Sequence, residues 1–345
     1  MVSTKHLVAG LCLLTLALAA EKAVYAHFMN QDIAQAQEIG IDGFALNCAP
    51  PRVDSYTPKQ LANAYEAAAD TGFKVFISVD FAYWGDNDSN DITSILRNYS
   101  TYTGQAYYNG GALASTFVRD YFDWNNVKNN MGGQKLTIIP MIQDPTFLSR
   151  QTTGIDGALS WYGWPTDGAS WWLTLLTDFG ESHYISGHEP HHSDDGSSEW
   201  TAEFPHDAWR SLMKPYIAAY KSGAASPTVS RDELVYWYRT TPKGIECTND
   251  KIGKPRGVEL FDDVVFASAM LTQPADLTVT SGSRSPVTVS VPADIHTLNF
   301  TMGVGKQQFS LSRSDAHLLG GFGAKDIQQS CETYNFNAYV GAFTA

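Results

Sequence analysis

Two carboxylates three residues apart, Asp178 and Glu181, stand in the stretch LLTDFGESHYISGHEPHH at positions 175–192. An apolar run (Trp171, Trp172, Leu173, Leu175, Leu176) ends abruptly at them. If that run is a buried strand, both carboxylates lie at its C-terminal end, where parallel α/β folds keep their active sites. One protonated and one ionised carboxyl can serve as a general acid and a general base. The purely structural reading is a strand-to-helix turn in which Asp178 is an N-cap and Glu181 completes a capping box. His183, His188, His191, His192, Tyr184 and Trp172 crowd the same turn, and that density favours chemistry. The histidines, with Asp194 and Asp195, could instead hold a metal. GHEPHHSDDGSSEW reads as a polar loop, so neither a metal nor a cofactor is expected.

Such a pair needs a frame, and the N-terminal half alternates strand and helix. Ala23–Met29, Gly43–Cys48 and Phe73–Val79 read as strands, the last ending at Asp80. Leu136–Met141 and Ala158–Trp161 continue the series after a strand at Ala112–Phe117. Gln31–Ile39, a segment opened by Thr57-Pro58 and running to Asp70, and Asp91–Tyr99 read as helices. Repeated βα units with short links predict a parallel sheet and a (β/α) barrel. The polar residues after the strands then share one rim: His27, Asn47, Asp80, Gln143 or Asp144, Trp161, and Asp178 with Glu181. Each alone reads as a loop residue; together they line a cleft. Trp161 stacks on a sugar ring or fills the core, with little to choose between the two.

Beyond SGAASPTVSRD, a small, polar, Pro-containing stretch from Ser222, the pattern changes to period two. LVYWYRT, VVFASAML, ADLTVTSG, SPVTVSVP, TLNFTMGV, KQQFSLSR and NFNAYVGAF are strands separated by turn residues, which predicts an antiparallel β-sandwich. Its expected role is structural, since no row of exposed Trp marks it as a carbohydrate-binding module. The chain therefore divides into residues 1–20, 21–225 and 226–345.

Residues 1–20 carry Lys5, then LVAGLCLLTLALAA, and end in small residues, as a secretory signal peptide does. That apolar core is too short to span a bilayer comfortably. A secreted protein with Cys48, Cys247 and Cys331 is expected to form one disulfide. Cys48 sits in the apolar GFALNC, so Cys247 is paired with Cys331. Sequons at Asn87, Asn98 and Asn299 fit a glycosylated secretory protein. A net charge of −13 argues against nucleic acid and anionic membranes as partners. Aromatic residues make up 12% of the chain, with nine Trp, a load usual where sugar rings stack on indoles. A monomer is expected.

HFM near the start, GIDGFALN, LANAYEAAADTGFKVFISVDF, IDGALSWYGWP, DFGESHYISG, PHDAWRSLMKPYIAAYKSG and the ending CETYNFNAYVGAF carry a resemblance. Over most of the chain after residue 20 they resemble the fungal α-1,3-glucanases of glycoside hydrolase family 71, also called mutanases. The resemblance implies a (β/α)8 barrel followed by a β-sandwich. It implies endo-hydrolysis of α-1,3-glucan, a polysaccharide of fungal walls and dental plaque, with inversion at the anomeric carbon. It carries Asp178 and Glu181 over from the DFGES motif and Asp80 from the strand end as catalytic carboxylates. Glu181 is then the acid, and Asp178 or Asp80 the base. His183 and Tyr184 would orient a carboxylate or touch sugar hydroxyls, and Trp161 and Trp164 would be stacking platforms.

Two departures from the family stand out. The motif there follows Trp-Asn, as WND, whereas Leu176 and Thr177 stand in those two places here. The long aromatic segment between the SWxxWP strand and the DFGES strand is missing, because Pro165 is followed almost at once by Trp171. Residues 21–225 make about 205, against about 250 for a typical (β/α)8 barrel. One or more βα units are therefore absent between Thr166 and Ser170, through an omitted exon or through loss in a paralogue. The second expectation is accordingly a non-catalytic glucan-binding relative that keeps the cleft.

Overall fold

The computed structural model describes residues 25–27, 33–144, 146, 154–159, 184–186 and 196–345. The chain forms two compact units, Met1–Asp178 and Phe179–Ala345.

In the first unit, β1 (Tyr25–His27), β2 (Gly43–Cys48), β3 (Lys74–Asp80), β5 (Gly111–Phe117) and β6 (Leu136–Ile139) run parallel, each beside the next. A short β4 (Tyr107–Tyr108) pairs antiparallel with the start of β5. The helices between them are α1 (Ile33–Glu38), α2 (Thr57–Ala69), α3 (Ser89–Tyr99) and α4 (Trp124–Asn129). This is the repeated βα order that the periodicity predicts. Strands β2 and β3 are buried on both faces, as parallel strands must be when helices cover one side. Helix α2 forms because Leu61, Ala64, Tyr65 and Ala68 fall at helical spacing and all are buried. Pro58 sits in its first turn, where a missing N–H is tolerated. The opposite side of the sheet carries a small cluster of Ala45, Phe76, Ala106 and Leu113. Of the strand expected at Ala158–Trp161, Leu159 bridges Met141 in parallel, and Trp161 lies outside the described residues.

The second unit holds helices α5 (Ser198–Thr201) and α6 (Ala208–Ser222) and two four-stranded antiparallel sheets. The strands are β7 (Glu233–Arg239), β8 (Val264–Leu271), β9 (Ala275–Ser281), β10 (Val287–Val291), β11 (Asp294–Thr301), β12 (Gln307–Arg313), β13 (Ala316–Phe322) and β14 (Ala338–Thr344). One sheet runs β11-β8-β7-β14 and the other β10-β9-β12-β13. Alternate residues of both sheets build one core, among them Leu234, Tyr236, Ala267, Leu277, Phe309 and Leu311. The reverse face of β7 and β8, with Val235 and Met270, is covered by Ala208, Trp209 and Leu212 of α6. That contact places α6 with the C-terminal strands; the chain divides after Asp178, whereas the change of composition placed the division near residue 225. A polar linker marks a change of pattern; the burial of an apolar helix face decides which sheet the helix joins.

Strand β13 is an addition to the elements read from sequence. Gly320 and Gly321 lower its strand propensity, yet β12 pairs with it from Gln308–Phe322 to Arg313–Ala316, with a register shift between Leu311 and Ser312. At Gly320, φ is 146° and a Cβ would stand 2.3 Å from the Phe309 carbonyl oxygen, so glycine is required by the neighbouring strand. Cys247 and Cys331 form a disulfide with a Cα–Cα distance of 4.9 Å, and Cys48 is a buried free thiol. No helix among the described residues is long and apolar enough to cross a membrane.

Candidate active site

The parallel strands aim their C-terminal ends at one rim, and Asp80 is the last residue of β3. Register sets Asn47 of β2 opposite Ser78 and Ser78 opposite Ser115 of β5. With side chains alternating along each strand, Asn47, Ser78, Asp80 and Ser115 form a polar row on one face of the sheet. Ser78, Asp80 and Ser115 are buried, whereas Asn47 is exposed. His27 pairs with Ala45 in backbone register.

Asp80 is fixed by both carboxylate oxygens. Asn47 Nδ2 donates to Oδ2 at 3.0 Å, and the Ala82 backbone N–H donates to Oδ1 at 2.9 Å. The chain then folds back, with Tyr83 and Trp84 donating backbone N–H groups to the Asp80 carbonyl. The Trp84 indole closes the turn by donating to the Cys48 carbonyl at 2.9 Å. Burial raises the Asp80 carboxyl above its ordinary value; the bonds from Ala82 and Asn47 pull it down, and the nearby Asp54 pushes it up. Among the described residues no cation forms an ion pair with Asp80. A buried carboxyl without a cation, at the end of a parallel strand, is suited to holding and releasing a proton. Burial also pushes the Cys48 thiol up to about 12, helped by the charge of Asp80, so it stays an unreactive thiol.

Asp178, Glu181, His183, Trp161 and Trp164 lie outside the described residues, as do His188, His191, His192, Asp194 and Asp195. Tyr184, two positions past Ser182, is described. Its side chain is 1% exposed and stacks flat on His206 with ring centroids 3.9 Å apart. Its hydroxyl donates to the Phe204 carbonyl and accepts from Asn337 Nδ2 at 2.6 Å. The expected role of touching sugar hydroxyls differs from this placement, because the hydroxyl is buried and bonded within the chain. Burial pushes its pKa well above the ordinary tyrosine range.

The residues that hold the 184–186 segment were not singled out by sequence. His206 is buried; its Nδ1 lies 2.8 Å from the Tyr184 carbonyl and its Nε2 3.0 Å from the Ala338 carbonyl. Its backbone N–H donates to Ser186, and Arg210 Nη1 donates to the Ile185 carbonyl at 2.8 Å. Three successive backbone carbonyls are thus engaged. The one available signal was His206 and Arg210 at helical spacing within PHDAWRSLM. Burial holds the His206 pKa below its ordinary value against the bonds that favour its charged form.

The three sequon asparagines, Asn87, Asn98 and Asn299, are all exposed. Among the described residues no three His, Cys, Asp or Glu side chains gather as a metal-ligand set.

The sequence profile of glycosyl hydrolase family 71 matches this chain in two stretches, residues 19–174 and 170–345. A mutanase of Penicillium rubens is 43% identical over 93% of this chain and 89% of its own length. A glucan endo-1,3-alpha-glucosidase of Schizosaccharomyces pombe is 30% identical over 93% of this chain and 95% of its own. Both alignments, of 401 and 408 residues, are longer than this chain of 345, so segments of each relative have no counterpart here. The two matched stretches overlap at residues 170–174, next to the short link after Pro165. No solved structure matches. With the profile matched in both stretches and a relative at 43% identity, the chain belongs to glycosyl hydrolase family 71.

Proposed function

We propose that this chain is a secreted, endo-acting glycoside hydrolase that cleaves α-1,3-glucan with inversion. The observation that carries the proposal is family membership together with relatives named for hydrolysis of that linkage. The buried carboxyl of Asp80 at a parallel strand end, which forms no ion pair among the described residues, supports it from the geometry. Asp178, Glu181 and Asp80 supply the chemistry. Glu181, protonated, gives its proton to the glycosidic oxygen. Asp178 or Asp80, ionised, takes a proton from a water attacking the opposite face of the ring. Inversion calls for about 6.5–9.5 Å between acid and base, room for that water. His27, Trp161, Trp164 and His183 are the residues assigned to sugar binding. The parallel strands belong to a (β/α)8-type barrel that lacks a segment after Pro165, and the paired antiparallel sheets make a β-sandwich. The enzyme is a monomer that enters the secretory route through residues 1–20 and carries glycans at Asn87, Asn98 and Asn299.

Incubation with insoluble α-1,3-glucan tests this by release of reducing ends. Early products of mixed length indicate endo action, and β-anomers in fresh product by NMR indicate inversion. Release from β-1,3-glucan or starch instead would overturn the substrate assignment. The second reading, a catalytically impaired glucan-binding wall protein, is favoured by the division of the family match into two stretches and by the segments of both relatives that have no counterpart here. Co-sedimentation with α-1,3-glucan without release of reducing ends would select it.

A further inference from the structure

We propose that Asn47 is a positioning residue, whose side-chain amide holds the Asp80 carboxylate in one orientation at the end of the parallel sheet. This rests on the catalytic role proposed for Asp80, and it replaces the sugar-binding role first expected of Asn47.

Asn47 Nδ2 lies 3.0 Å from Asp80 Oδ2, which commits an amide donor of Asn47 to the protein. The Ala82 N–H fixes the other oxygen at 2.9 Å. A carboxylate held at both oxygens by donors on two different segments cannot turn about its last bond without breaking one of them. The two segments are themselves tied together: β2 pairs with β3 along its length, and the Trp84 indole, four residues past Asp80, donates to the Cys48 carbonyl beside Asn47. The anchor is therefore rigid on both sides. Catalysis depends on such placement, and a displacement of about 1 Å at a reacting group can lower a rate by about a hundredfold.

The bond also has an electrical consequence. An N–H directed at a carboxylate favours its charged form, so Asn47 offsets part of the rise that burial imposes on Asp80. The other titratable groups recorded beside Asp80 are Asp54, which raises it further, and the Cys48 thiol. Arg119, beyond the end of β5, pairs with Asp86 instead.

Asn47→Ala, Asn47→Asp and Asp80→Asn, made singly, and Asn47→Ala with Asp80→Asn test the assignment in the full chain. On α-1,3-glucan, Asn47→Ala is expected to lower kcat by up to about a hundredfold with KM nearly unchanged. The pH–rate limb belonging to Asp80 moves to higher pH in Asn47→Ala. It moves further in Asn47→Asp, which keeps the shape but replaces the donor with a like charge. Asn47→Ala should add nothing once Asp80 is Asn, because the two act as a unit. A raised KM with unchanged kcat, or a full additional loss in the double variant, would show that Asn47 binds sugar and overturn the proposal. Near-normal turnover of Asp80→Asn would instead remove the catalytic role of Asp80. Carbon-13 NMR titration of the Asp80 carboxyl needs no turnover: it should titrate at higher pH in Asn47→Ala, and an unchanged midpoint would overturn the proposal.

Discussion

Asp80 in the parallel unit and Asp232 in the antiparallel unit are the same residue in opposite settings. Asp232 accepts from Arg313 Nη1 at 2.8 Å and from the Thr272 backbone and hydroxyl, also at 2.8 Å. The Arg313 bond, aided by those from Thr272, holds its carboxyl down to about 2. Asp80 is the more deeply buried of the two, is met among the described residues only by neutral donors, and burial raises it. The contrast extends through each unit. Among the antiparallel strands, buried polar groups fasten turns: Arg239 donates to the Thr241 and Asp262 carbonyls and pairs with Asp263, and Gln307 donates to Gly303 and Gly305. In the parallel unit a polar row of Asn47, Ser78, Asp80 and Ser115 gathers at strand ends instead, while buried side-chain atoms without a partner among the described residues occur in both units, Ser78 Oγ in one and Glu233 Oε1 in the other. The difference teaches that a paired carboxylate stabilises a fold, whereas a buried carboxylate without a cation is held ready to exchange a proton.

The strongest test of this contrast exchanges the two carboxylates for amides. Asp80→Asn should lower turnover on α-1,3-glucan by about 10²–10⁴-fold, the range of a general acid or base. Its melting temperature should hold or rise, because a desolvated charge is removed. Asp232→Asn should do the reverse, keeping kcat near normal while the fold weakens. If Asp80→Asn unfolds the chain and Asp232→Asn abolishes turnover, the comparison is inverted.

The disulfide measures how far the antiparallel unit relies on covalent closure. Cys247→Ala with Cys331→Ala opens an 84-residue separation, and the chain-entropy relation puts the loss at about 4–5 kcal/mol. Denaturant unfolding of the variant reads this directly. A loss below about 1 kcal/mol would mean that sheet packing, not the crosslink, sets stability.

Stability against pH separates the aspartates by sign. The folded pKa of Asp232 lies below its unfolded value, so its contribution is present above about pH 4 and is lost as pH falls towards 2. That contribution is of the order of 2 kcal/mol, and Asp232→Asn should remove it. The folded pKa of Asp80 lies above its unfolded value, so its contribution is present at low pH and is lost as pH rises through the folded value. Melting curves of the single variants from pH 2 to 7 should therefore diverge from the parent in opposite directions. Curves that shift together would refute the assignment of the two environments. The smallest effect is expected at the exposed pair Lys325–Glu203, 2.7 Å apart. Glu203→Gln should leave the melting temperature unchanged within error, because exposed ion pairs are screened; a clear fall would show that this pair stabilises the fold.

Much of the architecture was legible along the chain because its signals are local. Leu61, Ala64, Tyr65 and Ala68 state a helix by spacing alone, and VVFASAML states a strand by length and branching. Asp80 was readable as a strand-end carboxylate because a buried run stops there. The role of Tyr184 was not, because sequence proximity to DFGES says nothing about whether a ring faces a cleft or a core. Its partners, His206 and Asn337, are distant in the chain, and only folding sets a ring and an amide against it.

The sequence by itself determined the alternation of parallel and antiparallel halves, the family and the pairing of Cys247 with Cys331. Each depends on composition, period or motif, which the chain carries wherever it lies in space. Tertiary structure alone decided that α6 joins the C-terminal sheets, that β13 forms despite two glycines, and that Asn47 donates to Asp80. Those outcomes turn on which surfaces meet: an apolar helix face must be covered, an unpaired strand edge must be bonded, and a buried carboxylate takes its pKa from its neighbours.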